Sequence, residues 1–172
     1  MNLETITNVL VDKINWNNVD YYPPSKTRDF SEYLLNEGDI VIAMDRPFIS
    51  EGFKIARISK NDIPCLLVQR IGRFIKNDSV LYDFVYHYIH SNHFQKSMKN
   101  SQKGTDLPHI SKEEILRSMI PLPKKSEQIR ISNILSNIDN NIQKEIIYKS
   151  NLESLKQGLM QKLLTGQIYV KT

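Results

Sequence analysis

The chain has 172 residues, of which 40% are hydrophobic and 24% charged, with six glycines, seven prolines and a mean hydropathy of −0.40. This mixture excludes collagen-like, mucin-like and disordered chains. The length excludes a large multidomain enzyme but allows a real core, since a domain of about 150 residues buries roughly 70% of its unfolded surface. The net charge of +4 is regional: residues 1–60 carry net −2, residues 61–125 net +4 and residues 126–172 net +2.

Cys65 is the single cysteine, so no intramolecular disulfide can form and a thiolate zinc centre lacks its partners. Glu4 stands where a signal peptide carries basic charge, and no apolar run approaches the roughly 18 residues of a spanning helix. A cytoplasmic protein, neither exported nor membrane-embedded, is expected.

In chain order, three short apolar runs read as strands: residues 39–44, 53–58 and 65–68, rich in β-branched side chains and flanked by Gly38, Gly52 and Pro64. Alternation within 53–58 is loose, so its buried face stays open. A helix follows, with Leu81, Phe84, Val85, Tyr88 and Ile89 on one stripe, Asp78 or Ser79 as cap, and an expected end near Asn100. Ser111 with Glu114 three residues on forms a capping box for a shorter helix, and Met119 and Ile120 are a strand candidate.

Pro121 and Pro123 punctuate the chain, and beyond them the period changes. Ser126 is the expected cap and Glu127 suits the positive end of a helix dipole. Ile131, Ile134, Leu135, Ile138, Ile142 and Ile146 make an apolar stripe, resumed after Tyr148 by Leu152, Leu155, Leu159 and Leu163, with a stutter between. Gly166 is the expected stop. Forty residues would make a rod of about 60 Å. Such a helix needs a partner for its stripe; the alternative is a hairpin broken near residues 148–151. The expected architecture is α+β: a mixed-sheet domain with flanking helices over 1–123, then a long helix over 124–172.

No catalytic set emerges. A phosphate loop of the form Gly-x4-Gly-Lys-Ser/Thr is missing, and the glycines are scattered rather than gathered in a dinucleotide-binding turn. A magnesium nuclease would pair an Asp with Glu-x-Lys; Asp39 or Asp45 followed by Glu51 and Lys54 misses by one residue, which turns the lysine to the other face of a strand. His87, His90 and His93 recur every third residue but lack further ligands at matching spacing, so no metal is expected. Between residues 70 and 103, by contrast, Arg70, Arg73, Lys76, Lys96, Lys99 and Lys103 face only Asp78 and Asp83, interleaved with Gln95, Asn100 and Gln102. Cations for phosphates beside Arg, Asn and Gln for base edges are what a DNA reader requires.

One family is suggested by several of these residues together. Gly104-Thr105, Ile110-Ser111, Ile120-Pro121-Leu122-Pro123, Glu127-Gln128 and Ile138-Asp139 resemble the junction between recognition domain and conserved helix in specificity subunits of type I restriction-modification systems. Leu163-Leu164-Thr165-Gly166 is similar to that family's helix terminus, and Gly38-Asp39-Ile40 to its Leu-x-x-Gly-Asp-Ile strand. The resemblance implies a non-catalytic half-length subunit: residues 1–123 read one half of a split DNA target, and the helix sets the spacing, docks methyltransferase subunits and through them the restriction subunit, and pairs antiparallel with a second copy. It implies no cofactor on this chain. It also implies that the opening of the recognition domain, ahead of residues 14–20, is shortened.

On charge, side-chain type and loop placement, Arg46, Lys54, Arg70, Arg73, Lys99, Gln102, Lys103 and Thr105 are the expected contacts to double-stranded DNA. Ile131, Ile134, Leu135, Ile138, Ile142, Leu152, Leu155, Leu159 and Leu163 are the expected interface residues of a homodimer or companion helix. The rival reading is an assembly adaptor, or an inactive remnant, that binds no DNA.

Overall fold

The computed structural model describes residues 3–6, 9–17, 19–22, 30–50, 52–101 and 108–170. The chain forms two compact units, Met1–Lys125 and Ser126–Thr172. The first is mixed α+β. Its strands are β1 (Leu3–Ile6), β2 (Tyr21–Tyr22), β3 (Ile40–Ala43), β4 (Phe48–Ile49), β5 (Gly52–Phe53), β6 (Ile55–Arg57), β7 (Cys65–Leu67) and β8 (Ile71–Arg73). Its helices are α1 (Tyr82–Ile89), α2 (Asn92–Ser101) and α3 (Lys112–Arg117).

The strands form three small sheets. β1 lies between β2, antiparallel, and β7, parallel, while β3 lies antiparallel between β6 and β8, and β4 and β5 form a ribbon. The centre is β3, whose register sets Val41 opposite both Ala56 and Arg73. A strand covered on both faces reads as an unbroken apolar run. Successive side chains of β3 accordingly enter different cores: Val41 and Ala43 join Val9, Leu35, Ala56, Ile58 and Cys65, whereas Ile40 and Ile42 join Phe53, Ile55, Ile89, Phe94, Met98 and Ile110. The same division explains the loose alternation in 53–58, since Phe53 and Ile55 serve one core and Ala56 and Ile58 the other.

The turn before β3 accounts for the Gly-Asp pair ahead of Ile40. Gly38 takes φ +85°, and the Asp39 carboxylate accepts the Asn36 N–H at 2.9 Å, so this motif shapes the fold rather than a site. Tyr82 ties α1 to the sheet: its hydroxyl donates to the Phe74 carbonyl and accepts the Ile40 N–H, both at 2.8 Å, and burial pushes its pKa up. Tyr82→Phe strands both backbone groups, and a loss of about 1–3 kcal/mol in urea unfolding is expected.

Several expected boundaries move. The helix expected to run to Asn100 breaks at His90 and Ser91, where the Ser91 hydroxyl accepts the Phe94 N–H and starts α2. Leu81, not Asp78 or Ser79, is the N-cap of α1, because Asn77 draws the Ser79 N–H into a turn. Met119 and Ile120 are not strand. The Ser111–Glu114 capping box is formed as expected.

The second unit is built on the helix α4 (Lys125–Leu164). It is continuous through residues 148–151, so the hairpin alternative is not the structure adopted. It starts one residue before Ser126, which lies within its first turn with Glu127. Gly166 takes φ +72° and ends the helix, with the Gln167 and Ile168 N–H groups donating back to the Lys162 carbonyl. Among the described residues, no helix is long and apolar enough to cross a membrane.

Candidate nucleic-acid interface

Beyond β3 the chain makes a junction of three segments. The Met44 N–H donates to the Arg70 carbonyl at 2.9 Å, the Met44 carbonyl accepts the Ile110 N–H at 2.8 Å, and the Arg46 N–H donates to the Pro108 carbonyl at 2.8 Å. Residues 108–110 thus continue the sheet beside 44–46, with Asp45 and His109 as a bridge pair. Arg46 and Arg70 adopt φ of +43° and +68°. Left-handed backbone at a non-glycine residue costs roughly 1–2 kcal/mol, and both arginines are held there by the bonds just named.

Side chains complete the junction. Asp45 accepts from Arg70 Nη1 at 2.6 Å through Oδ2, and its Oδ1 lies 2.6 Å from His109 Nδ1. The hydrogen bond from His109, followed by the Arg70 charge, holds the Asp45 carboxyl below the ordinary carboxylate range. Two clefts flank this pair and share Asp45 and Arg70. One, of about 650 Å³, is lined also by Val9, Leu10, Lys54 and Gln69; the other, of about 500 Å³, by Arg46, Pro108 and His109. Arg46, Lys54 and Arg70 therefore line clefts that share Asp45, although the first and last are 24 positions apart in the chain.

The other expected contacts lie elsewhere. Arg73 donates to the Leu34 and Glu32 carbonyls at 2.9 and 3.0 Å and lies 3.8 Å from Asp39, so its guanidinium secures the segment before β3. Lys99 is exposed on α2 with its Nζ 4.9 Å from the Phe48 ring centre. Gln102, Lys103 and Thr105 fall outside the described residues. Sequence reasoning weighed Asp45 only as a nuclease metal ligand, which it set aside, and passed over His109. A lone His after a proline and a lone Asp at a strand end carry no local signal, and only their pairing across 64 residues reveals them.

The His87, His90 and His93 set does not converge. His90 Nδ1 lies 2.8 Å from the Tyr86 carbonyl and Nε2 2.9 Å from Asp12 Oδ1, His87 packs edge-on to Tyr86, and His93 is near the Tyr88 ring. Among the described residues no cluster of three His, Cys, Asp or Glu is placed to hold a metal. Asp12 also accepts from the Tyr86 hydroxyl at 2.7 Å. The His90 contact first, then Tyr86, lowers its pKa. A carboxylate with a depressed folded pKa contributes stability that is complete above its unfolded pKa of about 3.9 and is lost as pH falls through the folded value. Asp12→Asn should thus cost about 1 kcal/mol at pH 7, a modest figure because the carboxylate is half exposed, and the difference from the parent should shrink as pH falls through the lowered folded pKa in urea titrations.

The model of the type I restriction modification DNA specificity domain matches residues 12–152. The chain belongs to this family. It is 36% identical over 167 residues to the type I restriction enzyme MjaVIII specificity subunit of Methanocaldococcus jannaschii, covering 96% of this chain and 39% of that one. It is 40% identical over 131 residues to the EcoAI specificity subunit of Escherichia coli, covering 75% and 21%. Among solved structures, the HsdS subunit of Thermoanaerobacter tengcongensis superposes with a TM-score of 0.60 at 18% identity, covering 94% of this chain and 42% of that one, a likeness of fold. The chain thus spans about two fifths or less of the specificity subunits it matches.

Proposed function

We propose that this chain is a DNA specificity subunit of a type I restriction-modification complex that reads one half of a two-part target. In this reading residues 1–123 are the recognition domain and 124–172 the spacer. Methyl transfer and cleavage belong to other subunits, and the chain itself is not catalytic. Membership of the specificity family supports the class. The observation that carries the half-site reading is α4: forty residues with an apolar stripe left open, Ile134 at 61% and Ile138 at 50% exposure.

The DNA contacts in this proposal are Arg46, Lys54 and Arg70 of the junction, together with Lys99, Gln102, Lys103 and Thr105. Arg73 secures the segment before β3 through its carbonyl contacts. The stripe of α4 packs on a second copy, and the assembled helices dock methyltransferase subunits and through them the restriction subunit. Co-expression with a type I methyltransferase subunit, followed by single-molecule mapping of adenine methylation, tests this directly. A two-part palindromic motif is expected, because two identical copies read two identical half-sites. No motif, with both proteins soluble and abundant, would overturn the reading in favour of an adaptor.

A further inference from the structure

We propose that Asp45 is a built-in stand-in for a DNA phosphate, and that His109 and Arg70 are the phosphate-binding pair it occupies in the free protein. The inference rests on the DNA-binding reading above. Both carboxylate oxygens of Asp45 are engaged, one by the Arg70 guanidinium and one by the His109 ring, each at 2.6 Å. An anionic oxygen pair spanning a guanidinium and an imidazole N–H has the charge, and about the spacing of acceptors, of a phosphodiester.

The two donors are the more exposed members of the cluster, with side-chain exposures of 71% for Arg70 and 51% for His109, against 35% for Asp45. A ligand approaching along either cleft therefore meets the Arg70 and His109 side chains before the carboxylate. The charged groups facing the trio are Arg46 across one cleft and Lys54 and Asp20 across the other. Backbone bonds hold all three parents independently of the side-chain contacts: Met44 to Arg70, Arg46 to Pro108 and Ile110 to Met44. Exchange of Asp45 for a phosphate consequently needs side-chain rotation only.

Such a device disfavours indiscriminate binding. Any phosphate must first displace Asp45, so a duplex that adds no base contacts gains little from Arg70 and His109. A matched duplex offsets the displacement through the contacts only it can make. Asp45 is then a specificity-determining residue that touches no base.

The test is fluorescence anisotropy with a labelled duplex of arbitrary sequence, over a range of salt, using the whole chain. Asp45→Asn is expected to bind this duplex about fivefold or more tighter, the size of one exposed charge-assisted contact. Its log affinity should also fall more steeply with log salt, by about 0.9 for each phosphate newly paired. Adding Arg70→Ala and His109→Gln to Asp45→Asn should erase both gains. Glu113→Gln, on exposed α3, removes the same charge elsewhere and should leave binding unchanged. In the parent chain, the His109 ring resonances, identified by their loss in His109→Gln, should shift as duplex is added; this readout holds even if Asp45→Asn fails to fold.

Salt-sensitive binding by the parent with no gain in a folded Asp45→Asn overturns this inference alone. So does a gain that survives loss of Arg70 and His109, a gain equalled by Glu113→Gln, or His109 resonances unmoved at saturation. No duplex binding by either the parent or Asp45→Asn at low salt overturns both this inference and the DNA-binding reading.

Discussion

Aspartate at Ile138 and Leu155 is expected to abolish self-association of the chain. The stripe of α4 has an internal symmetry: positions 131, 135, 138, 142 and 146 advance in steps of four, three, four and four, and positions 148, 152, 155, 159 and 163 repeat the same steps. Two copies laid antiparallel about Ile147 therefore set Ile131 opposite Leu163, Leu135 opposite Leu159, Ile142 opposite Leu152 and Ile146 opposite Tyr148, with Ile138 one residue out of step with Leu155. The same register faces Glu145 with Lys149 of the second copy, whereas a parallel, in-register pair would oppose Glu145 to itself. Ile138, Ile142 and Ile146 already line a groove of about 410 Å³ with Glu145 and Lys149 at its edge.

In such a pair each aspartate would replace an aliphatic side chain whose burial by pairing is worth about 2 kcal/mol and would leave a charge in the seam. Four such sites in a symmetric dimer amount to roughly 8 kcal/mol, more than five powers of ten in dissociation constant. Sedimentation velocity at micromolar concentration should show a dimer for the parent and a monomer for the variant. An unchanged species would reject pairing through this stripe.

How much of this was legible in the sequence depended on whether the signal was local. The α4 stripe, the Ser111–Glu114 box and the Gly166 stop rest on side chains within one or two turns of each other, and all three are found in the structure. β3 was legible as an apolar run. Its place at the junction of two cores was not, because that depends on which distant strands flank it. The break at Ser91 shows the limit from the other side. Ile89, Phe94 and Met98 all enter one core, so apolar pattern alone suggests one helix, while the Ser91 hydroxyl on the Phe94 N–H starts a new one.

The candidate site divides the same way. Charge and residue type singled out Arg46, Lys54 and Arg70, which the fold gathers at one junction. The same criteria singled out Arg73, whose donors are engaged on the Leu34 and Glu32 carbonyls. A sequence shows that a cation exists, not whether backbone carbonyls have already claimed it. Asp45 and His109 were illegible for the converse reason, since each is ordinary alone and the pair forms only when residues 108–110 run beside 44–46.

That contrast supplies the second large effect. Replacing Arg46, Lys54 and Arg70 together by alanine should lower affinity for a matched duplex by about tenfold if all three meet phosphates and by about a hundredfold or more if they read bases, since each lost contact is worth about 1–3 kcal/mol at a base and somewhat less at a phosphate. If all three meet phosphates, the slope of log affinity against log salt should flatten by about 2.7. Loss of discrimination at one target position with a smaller change in slope would assign an arginine to a base edge. Arg73→Ala provides the opposite signature. With the Leu34 and Glu32 carbonyls left without their donor, it should cost about 1–3 kcal/mol in urea unfolding while keeping the salt slope. Anisotropy across a salt series, beside unfolding curves for the same proteins, separates cations that meet DNA from a cation that holds the segment before β3. A triple variant with the parent's affinity and slope would move the DNA face away from this junction.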